Sequence, residues 1–301
     1  MAGGPVHRAS ADGDDVDAAA ADASLTVSLT LHWLGHSTVL LQLPGLVVLT
    51  DPLFRKRLGP LRRHGPVPDP ASLPIPDVVL LSHAHPDHFD AHSLRRVPGQ
   101  PLVLVPRGMA PSVHRTTRGL TVREVRIGEV VEVGDWSIHA VRARHWRWPF
   151  TPRARSIGYL VDGPLGVYFA GDTGEFSGMK ELTGRVDLAL LPIARWGPQP
   201  TPGHLTPESA ARVVAVIAPR VVLPIHWGTL YPAGLDRVTR APVREPADRF
   251  GRAVADAAPG VEVPVLRPGD TAELLLPSRP AEERGRPSDG RGALRSRVRR
   301  A

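Results

Sequence analysis

SHAHPDHFD, residues 82–90, follows directly on the apolar run DVVLL at 77–81. Four side chains able to bind a metal, His83, His85, Asp87 and His88, fall within six residues. Alternate residues of an extended segment point the same way, so His83 and His85 can grip one ion. Pro86 then turns the chain, so that Asp87 and His88 can face a second ion. A loop that is merely rich in histidine is the competing explanation. Four donors set at the end of a buried strand argue against it, because strand ends hold loop side chains on a rigid frame. The 301 residues contain no cysteine, so thiolate ligands and disulfides are excluded and any metal rests on His, Asp or Glu.

Short apolar runs surround this motif on both sides. SLTVSLTLHWL alternates apolar positions at Leu25, Val27, Leu29 and Leu31, and TVLLQL and GLVVLTDP follow, with Pro44-Gly45 as the turn between them. PLVLVP, EVVEV, WSIHAVRA, SIGYLV, GVYFAGD, DLALLPI and RVVLPIH continue the series. Bounded runs of four to eight residues predict strands rather than helices. Helices are fewer. Thr206-Pro207-Glu208 supplies an N-cap, a proline at the first helical position and an acid in the first turn, with Ala210, Val213, Val214 and Ile217 on one face and Pro219 as the stop. Residues 244–258 form a second helical segment, and weaker ones lie near 90–97, 107–115 and 177–184. Early strands at meander spacing, followed by strands alternating with helices, predict an α/β protein in which two mainly antiparallel or mixed sheets pack face to face with helices outside. A parallel dinucleotide-binding sheet is disfavoured, since no glycine fingerprint follows the first strand.

Three further residues occupy equivalent positions after predicted strands: His145 after WSIHAVRAR, Asp172 after GVYFAG, and His226 after RVVLPI. Alone, each would be an ordinary loop residue; beside SHAHPDH they complete a ligand set. These segments resemble the metallo-β-lactamase superfamily. LGHSTVLLQL, LTDPLF, ARHW, FAGDTG, HLTPESA and PIHWGT resemble most closely its branch of N-acylphosphatidylethanolamine-hydrolysing phospholipases D and, more distantly, ascorbate-6-phosphate lactonases. The resemblance covers most of residues 31–230 with the motifs in order.

The resemblance implies an αββα sandwich and two metal ions. His83, His85 and His145 would hold the first, Asp87, His88 and His226 the second, and Asp172 would bridge them. An all-imidazole and carboxylate set suits zinc first, with manganese or iron as alternatives. A metal-bridged hydroxide would attack a phosphodiester or related ester, with Asp87 orienting or deprotonating the water. No Gly-x-Ser-x-Gly nucleophile elbow is present. His204 resembles the family's histidine for oxyanion or leaving-group contact. Asp51 in LTDP is expected to orient the metal loop or else to form a turn before Pro52; His36 in LGHST is expected to line the site or else to be a loop histidine. Trp146 and Trp227 follow ligands directly and are expected to wall the pocket, with Trp148 and Trp196 as weaker candidates. Arg144, Arg147 and Arg195 could receive an anionic group of the substrate, or be solvated members of an Arg-rich chain.

The net charge of +7 is unevenly spread. Residues 1–24 carry five Asp against Arg8, and 279–301 carry eight Arg against Glu282, Glu283 and Asp289. Residues 1–24 and 278–301 lack apolar periodicity and are expected to be disordered, leaving a hydrolase domain at 25–277. The lead has neither the basic nor the apolar region of a signal peptide, and no apolar run approaches the ~20 residues of a membrane helix, so a soluble, cytoplasmic protein is expected. The expected partner is a small or lipid-like anionic substrate, and pairing into a homodimer is left open. The alternatives are a lactonase acting on a sugar phosphate and a nucleic-acid-processing protein. The second is disfavoured because the 27-residue His145–Asp172 and 54-residue Asp172–His226 intervals leave no room for a large inserted domain.

Overall fold

The computed structural model describes residues 26–117, 119–146, 154–194, 203–235, 241–279 and 295–299, with backbone alone at 241–244 and 295–299. Strands form where the sequence alternates or runs apolar. In chain order the first are β1 (Thr26–Gly35), β2 (Thr38–Leu43), β3 (Leu46–Thr50), β4 (Arg57–Leu58), β5 (Leu61–Arg63), β6 (Val78–Leu80), β7 (Leu102–Pro106) and β8 (Thr121–Val125). They are followed by β9 (Val130–Val133), β10 (Trp136–Arg142), β11 (Ile157–Asp162), β12 (Gly166–Phe169), β13 (Leu188–Pro192), β14 (Val221–Ile225), β15 (Leu230–Pro232), β16 (Thr271–Pro277) and β17 (Arg295–Arg299). The helices are α1 (Ala91–Leu94), α2 (Ala110–Thr116), α3 (Pro207–Ile217) and α4 (Ala241–Ala257). The weak segment near 177–184 is a 3-10 turn over Ser177–Leu182.

Two large mixed sheets result. One runs β17-β16-β1-β2-β3-β6-β7-β8 and the other β14-β13-β12-β11-β10-β9. A third small sheet, β15-β5-β4, was not foreseen, since its strands are only two or three residues long. β1 alternates buried and exposed positions in its first half, with Val27, Leu29 and Leu31 inward. β13 and β14 are buried at every position, which is why they are continuous apolar runs rather than alternating ones. The space between the sheets is filled by Leu31, Trp33, Leu41, Ile138, Tyr159 and Phe169, among others. A second cluster, including Leu40, Leu49, Val79, Val103 and Met109, covers the other face of the first sheet.

α3 starts as its sequence dictates. Thr206 Oγ1 accepts from Ser209 N, a reciprocal bond returns from Ser209, and Ala218 ends the helix in the left-handed region. Its apolar face and that of α4 bring Val213, Val214, Ile217, Phe250 and Val254 into the main core.

The topology then creates the site. β3, β6, β7 and β8 pair in parallel. In the other sheet β12, β13 and β14 pair in parallel, while β10 and β12 each lie antiparallel to β11 and so share a direction. Their carboxyl ends lie together along sheet edges, and ligands of open α/β sheets gather at such edges.

At the chain's far end the folded unit runs past residue 277. Arg279 is buried, with Nη2 2.7 Å from Asp162 Oδ1 and Nε 3.0 Å from Asp187 Oδ2. Backbone at Arg295–Arg299 pairs antiparallel with β16. Most of the two tails expected to be disordered, including all of 1–24, lies outside the described residues.

Candidate metal centre

Each candidate ligand sits just past a strand end: His83 after β6, His145 after β10, Asp172 after β12 and His226 after β14. Three non-glycine residues here have left-handed backbone, His36 (φ 55), Asp51 (φ 31) and His226 (φ 62). Such conformations cost roughly 1–3 kcal/mol each and persist where the surroundings over-determine them. His36 illustrates this. Its N–H donates to Thr229 Oγ1 (2.7 Å), and its carbonyl accepts from Trp33 Nε1 (2.9 Å) and from His226 N (3.0 Å). Gly171 (φ 58) is required by close approach, because a Cβ there would stand 2.5 Å from Ser82 Cβ. The GDTG loop and the histidine loop are thereby pressed together.

The imidazoles are oriented from behind. His88 Nδ1 donates to Asp51 Oδ2 (2.7 Å), His145 Nδ1 to the Gly203 carbonyl (2.9 Å) and His226 Nδ1 to the Ala194 carbonyl (2.9 Å). Ser82 Oγ donates to Asp51 Oδ2 (2.6 Å) and lies 2.9 Å from His83 Nδ1, whose proton it can accept. Ser82 N also donates to Asp51 Oδ1 (2.8 Å). These bonds assign the proton to Nδ1 in all four rings and turn each bare Nε2 inward.

The inward atoms converge. His88 Nε2 and His226 Nε2 are 3.2 Å apart, and His145 Nε2 and His85 Nδ1 are 3.1 Å apart. Asp172 Oδ2 lies 3.3 Å from His88 Nε2 and 3.9 Å from His145 Nε2, while its Oδ1 lies 3.2 Å from His226 Nε2. Asp87 Oδ2 is 3.1 Å from His36 Nε2, 3.7 Å from His226 Nε2 and 3.8 Å from His88 Nε2. Donor atoms within 4.8 Å of one another include the sets His83, His85, His145 and His36, Asp87, His88, His226. A further set joins His145, Asp172 and His204.

This arrangement fits a metal. Two ring nitrogens whose protons are committed elsewhere would face each other lone pair to lone pair, and only a cation or proton between them relieves that repulsion. Nitrogens bound at about 2.0–2.1 Å around a tetrahedral ion stand about 3.3 Å apart, close to the separations here. His83 Nε2 and Asp172 Oδ1 are buried without a hydrogen-bond partner, the condition expected of ligand atoms.

Charge in the cluster divides accordingly. Burial, aided by His226, pushes His36 down to about 3, and burial with His145 beside it pushes His85 down to about 4. Burial and the neighbouring His88 hold His83 well below its ordinary value, and burial lowers His145. For His88 burial also pulls downward, but Asp172 and Asp87 overcome it and the net direction is up; His226 follows the same logic with Asp172 foremost. Asp87 and Asp172 sit well below the usual carboxylate range because the surrounding histidines outweigh their burial.

His36 and Asp51, each left with an alternative by the sequence, both reach the cluster: His36 through Asp87, Asp51 through His88. His204 Nδ1 lies 3.5 Å from Asp172 Oδ2, and its ring packs edge-on to His145 at 4.7 Å. Trp227 departs from expectation. It is buried, stacks on Trp33 at 5.2 Å and donates Nε1 to the Pro224 carbonyl, so it is part of the core rather than a pocket wall. Trp146 is 59% exposed. Arg144 turns its Nη1 to the Glu175 carbonyl. Arg147, Trp148, Arg195 and Trp196 lie outside the described residues. Sequence reasoning missed Ser82, whose only signal is its place before His83. It also missed the Gly203 and Ala194 carbonyls, which carry no side-chain signal at all.

A family model for the beta-lactamase superfamily domain matches residues 47–227. A metal-dependent hydrolase of Methanopyrus kandleri is 33% identical over 81% of this chain and 100% of its own length. An N-acyl-phosphatidylethanolamine-hydrolyzing phospholipase D of Caenorhabditis elegans is 31% identical over 76% of this chain and 69% of its own. Among solved structures, a metallo hydrolase from Ignicoccus hospitalis superposes with a TM-score of 0.62 at 22% identity, covering 82% of this chain and 98% of that one. The chain belongs to the beta-lactamase superfamily, with the metallo-β-lactamase fold, and is a metal-dependent hydrolase.

Proposed function

We propose that this hydrolase carries two divalent ions, most simply zinc, and cleaves a phosphodiester in the manner of a phospholipase D, or a related ester. The observation that carries the reading is the double convergence of imidazole nitrogens, His88 with His226 and His85 with His145, on either side of Asp172. His83, His85 and His145 would hold one ion, Asp87, His88 and His226 the other, with Asp172 shared. A bound pair of ions supplies an acidified water and stabilises negative charge on the displaced oxygens.

The chain's own groups do the rest. Asp87 Oδ2 accepts from His36 Nε2, 3.1 Å away, which would hold the carboxylate in position to orient the attacking water. His204, on the loop before α3 and 3.5 Å from Asp172 Oδ2, would touch the leaving oxygen. Asp51 holds two rings, directly through His88 and through Ser82 to His83. Phospholipase D relatives support a phosphodiester substrate. The test is to assay the zinc-loaded protein on bis-p-nitrophenyl phosphate alongside a panel of lactones. Turnover of the phosphodiester is expected, and turnover of lactones alone would contradict the reading.

A further inference from the structure

We propose that a second cavity, one strand along the same edge from the histidine loop, is a binding site for an organic phosphate. It is an open cleft of about 540 Å³ lined by Pro106, Arg107, Val125, Arg126, Ile127, Arg155 and Ile157 among its residues. Pro106 ends β7, Val125 ends β8 and Ile157 opens β11, so the cavity sits where the edges of the two large sheets meet.

Its charge is unbalanced. Among the described residues, the guanidinium groups of Arg107, Arg126 and Arg155 form no ion pair or hydrogen bond. The two carboxylates nearest in sequence are occupied elsewhere. Glu124 Oε1 accepts from the N–H groups of Gly108 and Ala110, both at 2.9 Å, and so holds the start of α2. Glu129 Oε2 accepts from Arg126 N (3.2 Å), and its Oε1 pairs with Arg123 (3.3 Å). Three free guanidiniums around one opening match the oxygens of a phosphate monoester, which carries close to two charges at neutral pH. Val125 and Ile157 are buried and Ile127 is 45% exposed, so the wall offers apolar contact to whatever bears the phosphate. A bare inorganic ion would leave that wall unused.

The cavity and the metal centre are linked through one backbone bond: Ile157 N donates to Ser82 O (3.1 Å), and Ser82 precedes His83. β6, β7 and β8 are neighbours, and strands lie roughly 5 Å apart, so a molecule could span both places. As a substrate subsite the cavity rests on the hydrolase reading; as a phosphate site it stands by itself.

Phenyl phosphate titrated calorimetrically into the EDTA-treated full chain tests the binding, since the metals that would also take phosphate are then gone. Binding is expected with phenyl phosphate tighter than inorganic phosphate and phenol silent. The triple variant Arg107→Ala/Arg126→Ala/Arg155→Ala should bind at least about tenfold more weakly with an unchanged circular dichroism spectrum. Unchanged affinity in the variant, or equal affinity for phenol, overturns the site. In the zinc-loaded protein the same variant should raise KM for a diester bearing a second, distal phosphate while leaving bis-p-nitrophenyl phosphate kinetics unaltered. Equal effects on both diesters overturn the subsite role. Failure of both chains to cleave either diester counts against the hydrolase reading, not against the phosphate site.

Discussion

The interaction on which most rests is a single carboxylate. Asp51 receives His88 Nδ1, Ser82 Oγ and Ser82 N with its side chain fully buried, so it sets the tautomer of one ring directly and of another through Ser82. Replacing it by Asn keeps the size but presents an amide where a proton acceptor is needed. Asp51→Asn should weaken metal affinity by roughly 10–100-fold, as loss of an outer-shell partner usually does, measured by competition with a chromogenic chelator. Affinity equal to the parent would mean that the rings do not depend on this anchor. The same scale governs acid sensitivity. In the metal-free fold His36, His85, His83 and His145 have lowered values, so below the ordinary value of 6.5 the unfolded chain takes up protons that the native chain refuses. Stability contributed by these four is present above that value and is lost as pH falls towards their folded values. His88 and His226, raised, work in the opposite sense: their contribution is present below 6.5 and is lost as pH rises through their folded values. Below 6.5 the raised pair is already protonated in the fold and changes little, so the lowered four set the slope: the urea midpoint of the EDTA-treated protein should fall between about pH 6.5 and pH 5, and a midpoint that rises would contradict the assignment.

At the scale of elements, two contacts tie strands to the site. Trp33 on β1 is fully buried, stacks on Trp227 and donates to the carbonyl of His36, so core packing and site backbone share one residue. Trp33→Ala should cost about 3–5 kcal/mol of unfolding free energy by chemical denaturation, the usual range for emptying a large aromatic site. Arg279, just past β16, lies between Asp162 and Asp187 of the second sheet. Arg279→Ala removes one guanidinium from each carboxylate while Arg185 stays on Asp162 and Arg220 on Asp187, and should cost on the order of 1.5–3 kcal/mol, whereas a truncation tolerated without loss would show the bridge to be idle. The sequence disclosed these elements unequally. β13 and β14 were visible because burial on both faces demands unbroken apolar runs, and α3 because its cap residues sit at fixed offsets. The β15-β5-β4 sheet escaped because runs as short as LRR and LYP define no period. Arg279 escaped because a buried arginine looks the same in sequence as the seven others that fill residues 279–301.

For the whole molecule, the parallel strands make long-range convergence a consequence of topology. His83 and His226 are 143 residues apart, yet their strands end on edges that meet. The ligand types were legible because a chain without cysteine has few ways to bind a metal, and their positions were legible because each follows an apolar run. What stayed hidden was orientation: which tryptophan faces the core, and which carbonyls hold the rings, depend on packing that no local pattern encodes. The most direct measurement is the metal content of the purified protein by plasma mass spectrometry, beside that of Asp172→Ala. About two zinc, manganese or iron equivalents per chain, falling sharply in the variant, are predicted. A protein that binds no metal when supplied with it, or a variant that retains the full complement, would contradict a shared dinuclear centre.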